Sequence, residues 1–157
     1  MKITQIILLT LGLFHQSMSQ DIESLERKLS SGGLTTIDSI ETLNLISRGL
    51  TFVNHSRALV YATKALELST KTNYSIGTAY AYRNLSSIYS YNDNYFISME
   101  YIQRALDIFE LINDSIGIAN CYISLGHTYR RLQNSKEEIE YHKMSYEIFK
   151  SGLTHDL

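Results

Sequence analysis

The 157-residue sequence contains no proline and no tryptophan, and its one cysteine is Cys121. Without proline, the chain lacks the residue that most often breaks helices, so long helices are favoured over a turn-rich β architecture. One cysteine excludes an internal disulfide and a site built from several thiolates. Fourteen basic and sixteen acidic residues give a net charge of −2, which argues against nucleic acid as a partner. The 44% of hydrophobic residues suffices for the core of one domain.

Motifs that carry catalysis or bind metals and cofactors are also missing. The five histidines are scattered, with no HExxH pair and no histidine-rich tract, so we expect no metal site. A glycine-rich phosphate loop, a GxSxG elbow and an EF-hand loop are all absent. His127 and His142 lack a positioned carboxylate partner, and we interpret them as ordinary surface or groove residues. Cys121 is interpreted as a small buried apolar residue. The sequence thus predicts a non-catalytic protein without cofactor or metal.

The first 19 residues have the layout of a secretory signal peptide. Lys2 precedes an apolar run from Ile6 to Phe14, and the small residues Ser17 and Ser19 stand just before the expected cleavage after Ser19. The apolar run is about half the roughly 20 residues that span a bilayer, and no other segment approaches that length. We therefore expect an exported chain, periplasmic or otherwise extracytoplasmic, with no membrane span beyond the signal peptide. The alternative is an amphipathic first helix that stays on the protein.

A period of 40 residues organises the sequence after residue 36. Residues 73–77 (Asn-Tyr-Ser-Ile-Gly) align with residues 113–117 (Asn-Asp-Ser-Ile-Gly). The same shift superposes the following sets: Leu45, Leu85 and Leu125; Tyr61, Tyr101 and Tyr141; Asn54, Asn94 and Asn134; Ala65, Ala105 and Ser145. A fixed period marks stacked supersecondary units, of which about three make a stable array. We predict repeats over about 36–75, 76–115 and 116–152, after a capping helix and loop at 20–35. Residues 153–157 are expected to be the start of an incomplete further repeat or a tail.

Each unit has the apolar spacing of a helical hairpin. In the second unit one helical face carries Ala79, Tyr82, Leu85, Ser86 and Tyr89, and a similar face follows the polar break at 92–94. The pattern predicts helices at about 21–30, 36–50, 55–70, 76–91, 95–112, 116–132 and 135–150. Predicted N-caps are Ser75 and either Asp114 or Ser115. Small residues mark the expected close approach of helices: Ala58, Ala65, Ser86, Ser98, Ala105, Gly126 and Ser145.

The third unit resembles the tetratricopeptide repeat. Tyr122, Leu125, Gly126 and Tyr129 match the large-x-x-Leu-Gly-x-x-Tyr pattern of its first helix, and Ser145 is a small residue of the second. The period near 40 is similar to that of the long-repeat subgroup, although the signature tryptophan and the final proline are missing. The resemblance implies an all-α fold, a right-handed superhelix of antiparallel helical hairpins. HEAT and armadillo repeats, with similar periods, are the alternative.

The resemblance also implies a concave surface that binds a protein or peptide. By position, the groove residues would be Tyr80, Arg83, Asn84, Ser87, Tyr91, Asn120, Ile123, Ser124, His127, Arg130 and Arg131. The three arginines predict a preference for acidic or C-terminal-carboxylate peptides, whereas the alternative is a solvated helix face. A signal peptide followed by such repeats resembles the extracytoplasmic sensor region of bacterial sensor histidine kinases and related signalling regulators. A free-standing periplasmic scaffold or assembly factor is an alternative, as is a kinase fragment without its catalytic half.

The last predicted helix is expected to leave an apolar edge. In the 40-residue register, residues 153–157 align with 113–117, where a fourth unit would begin its first helix. The uncovered edge would present some of Ile139, Met144, Tyr146, Ile148 and Phe149. Exposed apolar patches of this kind mark interfaces, so we expect self-association or a partner at this end.

Overall fold

The computed structural model describes residues 19–154, and side chains as far as residue 152. These residues form seven helices and no strand. The described part of α1 covers 19–30. The others are α2 (Thr36–Leu50), α3 (His55–Lys71), α4 (Ser75–Tyr91), α5 (Tyr95–Leu111), α6 (Ser115–Arg131) and α7 (Ser135–Thr154). The predicted all-α, solenoid-like fold is confirmed. The predicted signal peptide falls almost entirely on residues 1–18, outside the described part, so it stays a prediction.

Four of the five turns from α2 to α7 share one geometry. The residues Asn73, Asp93, Asn113 and Gln133 have φ between 54° and 61°, in the left-handed region. In each turn the next N–H bonds to the carbonyl five residues earlier, as in Tyr74 N–H to Ser69 O at 2.9 Å. This is the Schellman ending of a helix, and asparagine and aspartate tolerate its left-handed residue well. Turns spaced by 20 residues produce the 40-residue period of the hairpins.

The turn between α2 and α3 is different because valine occupies the corresponding position. Val53 is β-branched and disfavours the left-handed region. Helix α2 instead ends at Leu50, whose carbonyl accepts from both Val53 N–H at 3.0 Å and Asn54 N–H at 2.8 Å. The first hairpin therefore departs from the geometry of the other two.

Helix bounds agree with the predicted ones to within one residue for α2 to α6. Asp114 is confirmed as an N-cap, since its Oδ1 accepts from Gly117 N–H at 2.9 Å. Ser75 is wrong as an N-cap. It is the first helical residue, and Tyr74, the last residue of the Schellman turn, occupies the cap position without a side-chain hydrogen bond. The predicted end of α7 at residue 150 is also wrong, because the helix continues to Thr154. Leucine occupies the register position of Asn113 there, and leucine does not favour a left-handed turn.

The first helices of the three hairpins line the inner side of the array. Helix α4 contacts both α2 and α6, whereas α3, α5 and α7 do not contact one another within the described residues. Because the second helices are spread apart, the array curves around α2, α4 and α6. We call the side formed by these three helices the inner surface.

Small residues let the helices approach closely, as predicted. Ala58, Ala65 and Ala105 are fully buried, and the hydroxyl oxygens of Ser86 and Ser98 lie 3.0 Å apart between α4 and α5. The core is thus built on small residues surrounded by large ones, which is how close-packed interiors are filled.

Helix α1 covers the first hairpin. Ile22, Leu25 and Leu29 pack against the core of α2 and α3. Glu26 forms an ion pair with Arg57 of α3 and accepts a hydrogen bond from the Tyr61 hydroxyl at 2.6 Å. Apolar burial and this polar cluster thus hold α1 on the first hairpin.

Candidate functional site

A pocket of about 310 Å³ opens on the inner surface where α2, α4 and α6 meet. Four of the predicted groove residues line it: Tyr80, Arg83, Asn84 and Asn120. The others around it are Glu41, Asn44, Leu45, Arg48, Tyr74, Ile76 and Gly77. We call this the arginine pocket, because Arg48 and Arg83 are its two basic residues.

Two buried asparagines beside the pocket join neighbouring repeats. Asn84 Nδ2 donates to the Asn44 carbonyl at 3.0 Å and to its side-chain oxygen at 3.2 Å. Asn44 Nδ2 in turn donates to the Gly77 carbonyl at 3.0 Å. The two residues are 40 apart, at the same position of successive units. Asn84 lines the pocket, and all three hydrogen bonds hold α4 on α2.

The guanidinium of Arg83 lies in the pocket without an anionic partner. Its Nε atom is enclosed and has no hydrogen-bond partner, and the guanidinium lies over the Tyr80 ring at 5.6 Å. Burial, reinforced by the positive charge of Arg48, lowers the pKa of Arg83 below its ordinary value. Ion pairs between residues 19 and 154 involve neither arginine. The pocket thus holds two like charges that the described residues do not neutralise.

The acidic groups near the pocket are already engaged. Glu41 accepts a hydrogen bond from the Tyr74 hydroxyl at 2.9 Å. Burial, together with this contact, raises the pKa of Tyr74 to about 12. Asp114 caps α6, and its charge adds to burial in raising the pKa of Tyr80. Two arginines against one lining carboxylate leave the pocket positive.

Three polar groups remain free to bind a ligand. The Asn120 carboxamide makes no hydrogen bond with any described residue, and it shares the pocket with Arg48 and Arg83. Tyr74 and Tyr80 supply aromatic surface beside them. The arrangement can hold an anion next to an apolar or aromatic group.

Two of the predicted groove arginines lie elsewhere. Arg131 donates to the Ser90 carbonyl at 2.9 Å and to Asp93 at 2.8 Å. It thus provides a hydrogen-bond donor for the C-terminal end of α4, in the preceding repeat. Tyr91 lies under the Arg131 guanidinium, 4.9 Å from it. Arg130 pairs with Glu138 of α7 at 3.2 Å. Neither arginine lines the pocket, because the ends of the helices project beyond it.

The remaining predicted groove residues lie along α4 and α6, outside the arginine pocket. The hydroxyls of Ser87 and Ser124 bond back to carbonyls four residues earlier in their own helices, at 3.2 Å and 3.1 Å. His127 lies edge-on to His142, with ring centres 5.5 Å apart, and burial together with Arg130 lowers its pKa. Ile123 is partly buried. Over residues 19–154 no three histidine, cysteine or acidic side chains are placed to hold a metal ion.

Sequence reasoning missed the contribution of α2 to the pocket. Asn44 aligns with Asn84 under the 40-residue shift and could have been found from it. Arg48 aligns with Ile88, an apolar residue, so the repeat contained no signal for it. Cys121, by contrast, is fully buried as predicted.

The free face of α7 is apolar. Tyr146 is 60% exposed and Phe149 39% exposed, whereas Leu106 and Phe109, their equivalents on α5, are 6% and 0% exposed beneath the next repeat. Ile139 and Met144 are also exposed, and Ile148 is partly buried. The predicted exposure of this edge is confirmed for all but Ile148.

Comparison with known proteins agrees with this architecture. Residues 77–151 match a family model described as tetratricopeptide repeat. The segment from α4 to α7 is therefore similar to tetratricopeptide repeats. The crystal structure of BtubC (BKLC) from P. vanneervenii superposes with a TM-score of 0.66 at 19% identity, over 87% of this chain and 58% of that one. At this identity the likeness concerns the fold. No curated protein gives a significant match.

None of the described helices combines the length and the apolarity that crossing a membrane requires.

Proposed function

We propose that this chain is a non-catalytic protein-interaction module that binds a peptide segment of another protein along its inner surface. The observation that carries the proposal is the group of unpaired polar side chains, Arg48, Arg83 and Asn120, beside the rings of Tyr74 and Tyr80. Arginine and tyrosine are enriched at the energetic centres of interfaces. Grooves between helices bind peptides when they supply such anchors.

The charge of the arginine pocket favours an acidic peptide. A carboxylate that enters it replaces water around two guanidinium groups, whose planar donors fit carboxylate oxygens. Because part of the attraction is long-range, affinity should fall as salt rises. We expect acidic peptides, with a free or an amidated C-terminus, to bind more tightly than neutral ones.

An array of acidic and neutral peptides, probed at low and high salt, tests the proposal. The double variant Arg48→Ala/Arg83→Ala should lose the acidic peptides. Arg104→Ala is the matched control, because that arginine lies on α5 in an exposed pair with Glu100. If the double variant binds as the wild type does, the arginine pocket has no part in recognition.

We further propose that the module is exported and forms the sensor portion of a bacterial signalling protein. The apolar N-terminal run with its small residues before Gln20, and the period near 40, support this assignment. A free-standing scaffold and the N-terminal fragment of a sensor histidine kinase are the competing proposals. Mass spectrometry of the expressed protein tests export, since cleavage should leave Gln20 as the first residue. An apolar 20-residue segment encoded in frame after Leu157 would favour the sensor.

Self-association through α7 is a second candidate function. At the other end of the array, α1 covers the first hairpin, so head-to-tail stacking of copies is blocked there. The α7 face that is exposed among the described residues instead suits a two-fold contact between two copies, which closes as a dimer. Sedimentation of residues 20–157 should show a dimer that Tyr146→Lys disrupts and Phe96→Lys, at a separate exposed aromatic, does not. A monomeric wild type at tens of micromolar would contradict this candidate.

A further inference from the structure

The position of Arg83 is unfavourable for the stability of the fold. A charge removed from water destabilises a fold unless a partner of opposite sign offsets the loss. The Arg83 Nε atom is enclosed without a partner, and the nearest basic residue of the pocket, Arg48, adds repulsion. The described residues therefore leave a charge imbalance at one point of the inner surface, and a bound anion would correct it.

We infer that the arginine pocket binds a small free oxyanion, a phosphate or a low-molecular-weight carboxylate, independently of any peptide. The donors are the guanidinium groups of Arg83 and Arg48 and the carboxamide of Asn120. Arginine presents its donors in a planar fork that matches two oxygens of one carboxylate or phosphate group.

The size of the pocket suits such a ligand. Its volume of about 310 Å³ lies at the lower end of the range of about 300–1,000 Å³ typical of small-molecule sites. Leu45, Ile76 and the rings of Tyr74 and Tyr80 form the apolar part of the wall. Such walls lower the local dielectric and strengthen the interaction of an anion with the two arginines.

The acidic groups nearby limit the charge of the ligand without excluding it. Glu41 lies at the exposed rim and accepts from Tyr74, and Asp114 is committed to the N-terminus of α6. These carboxylates oppose a ligand with many negative charges. A singly or doubly charged oxyanion matches the pocket better than a polyanion does.

Thermal unfolding of the purified chain, titrated with inorganic phosphate or with succinate, tests the inference. A control titration with sodium chloride at equal ionic strength measures the effect of charge screening alone. Phosphate also stabilises proteins in general, because it is excluded from their surface. The unfolding midpoint of each variant with the anion is therefore compared with the midpoint of the same variant without it. The midpoint of the wild type should rise with the probe and level off, as expected for a binding site.

Three variants separate this site from general effects. Arg83→Gln should lose the saturable rise and, without anion, should be at least as stable as the wild type, because a partly buried charge without an anionic partner has gone. Arg48→Gln should also lose most of the rise, and it covers the case in which Arg83→Gln fails to fold. Arg104→Gln, on α5, should respond as the wild type does. Amide chemical-shift changes should centre on Gly77 and Asn120, which line the pocket.

Equal responses of the wild type and both pocket variants would overturn the inference. It would also be overturned if free phosphate and succinate had no saturable effect while a blocked acidic peptide bound through Arg83. That second result would leave the peptide-binding proposal intact. Saturable binding of free anions without peptide binding would support the inference and count against the peptide proposal.

Discussion

The contact between Gly117 and Phe109 allows a sharp test of the packing between repeats. Gly117 lies in the first turn of α6, and the Phe109 ring of α5, fully buried, packs directly on its backbone. A Cβ atom placed on Gly117 would lie 2.2 Å from Phe109 Cδ1 and 2.5 Å from Cε1. Since ordinary contacts begin near 3.4 Å, the ring or the helix would have to move by about 1.2 Å in Gly117→Ala.

The expected result is a net destabilisation. Alanine is favoured over glycine in a helix by about 0.5–1 kcal/mol, which acts in the opposite direction. Overpacking against an aromatic ring that cannot retreat costs typically about 1–3 kcal/mol. We therefore expect Gly117→Ala to lower the free energy of unfolding by about 1 kcal/mol, the difference between the midpoints of these two ranges.

Urea denaturation followed by circular dichroism measures this change as a lower midpoint at an unchanged slope. Gly152→Ala is the matched control, because Gly152 is also helical and a methyl group added there would meet nothing within 4 Å, so this change should be neutral or slightly stabilising. Phe109→Leu replaces the ring with a smaller side chain. Gly117→Ala should therefore lower the free energy of unfolding less in the Phe109→Leu background than in the wild type. A Gly117→Ala protein as stable as the wild type would show that the close approach of α5 and α6 does not constrain this interface.

Three further predictions concern stability, pH and reactivity. Ala105→Leu, at a fully buried site, should lower the free energy of unfolding by about 1–3 kcal/mol in the same assay. Gln103→Leu, on the exposed face of α5, should change the stability little. Equal urea midpoints for the two variants would refute the repeat register. The hydrogen bond from Tyr61 and the adjacent arginine hold the pKa of Glu26 below its ordinary value. The stability that Glu26→Gln removes at neutral pH should therefore diminish as pH falls through the folded-state pKa of Glu26, and a pH-independent difference would contradict this. Burial raises the pKa of Cys121 to about 12, so a thiol reagent should label the chain only after unfolding, and rapid labelling of the folded protein would contradict the burial.

The repeat architecture could be predicted because it depends on local chemistry. Apolar residues at helical spacing recur with a fixed period, and Asn73, Asp93 and Asn113 are residue types that accept the left-handed position of a helix-ending turn. Val53 shows the same rule by contrast, since a β-branched residue at that position accompanies a different turn. The apolar edge of α7 followed from the same register, because Tyr146 and Phe149 align with the buried Leu106 and Phe109.

The arginine pocket was decided by the tertiary structure. Arg48 and Arg83 are 35 residues apart and so do not share a position in the 40-residue register. They meet because α4 stacks on α2 with a rotation that the buried Asn44 and Asn84 hold in place. Arg131 was likewise drawn away from the predicted groove, because the exposed carbonyls at the end of α4 lie within its reach. A sequence period determines which residues face the core of each hairpin, whereas the rotation and offset between hairpins depend on side-chain packing between distant residues and determine which polar groups face one another.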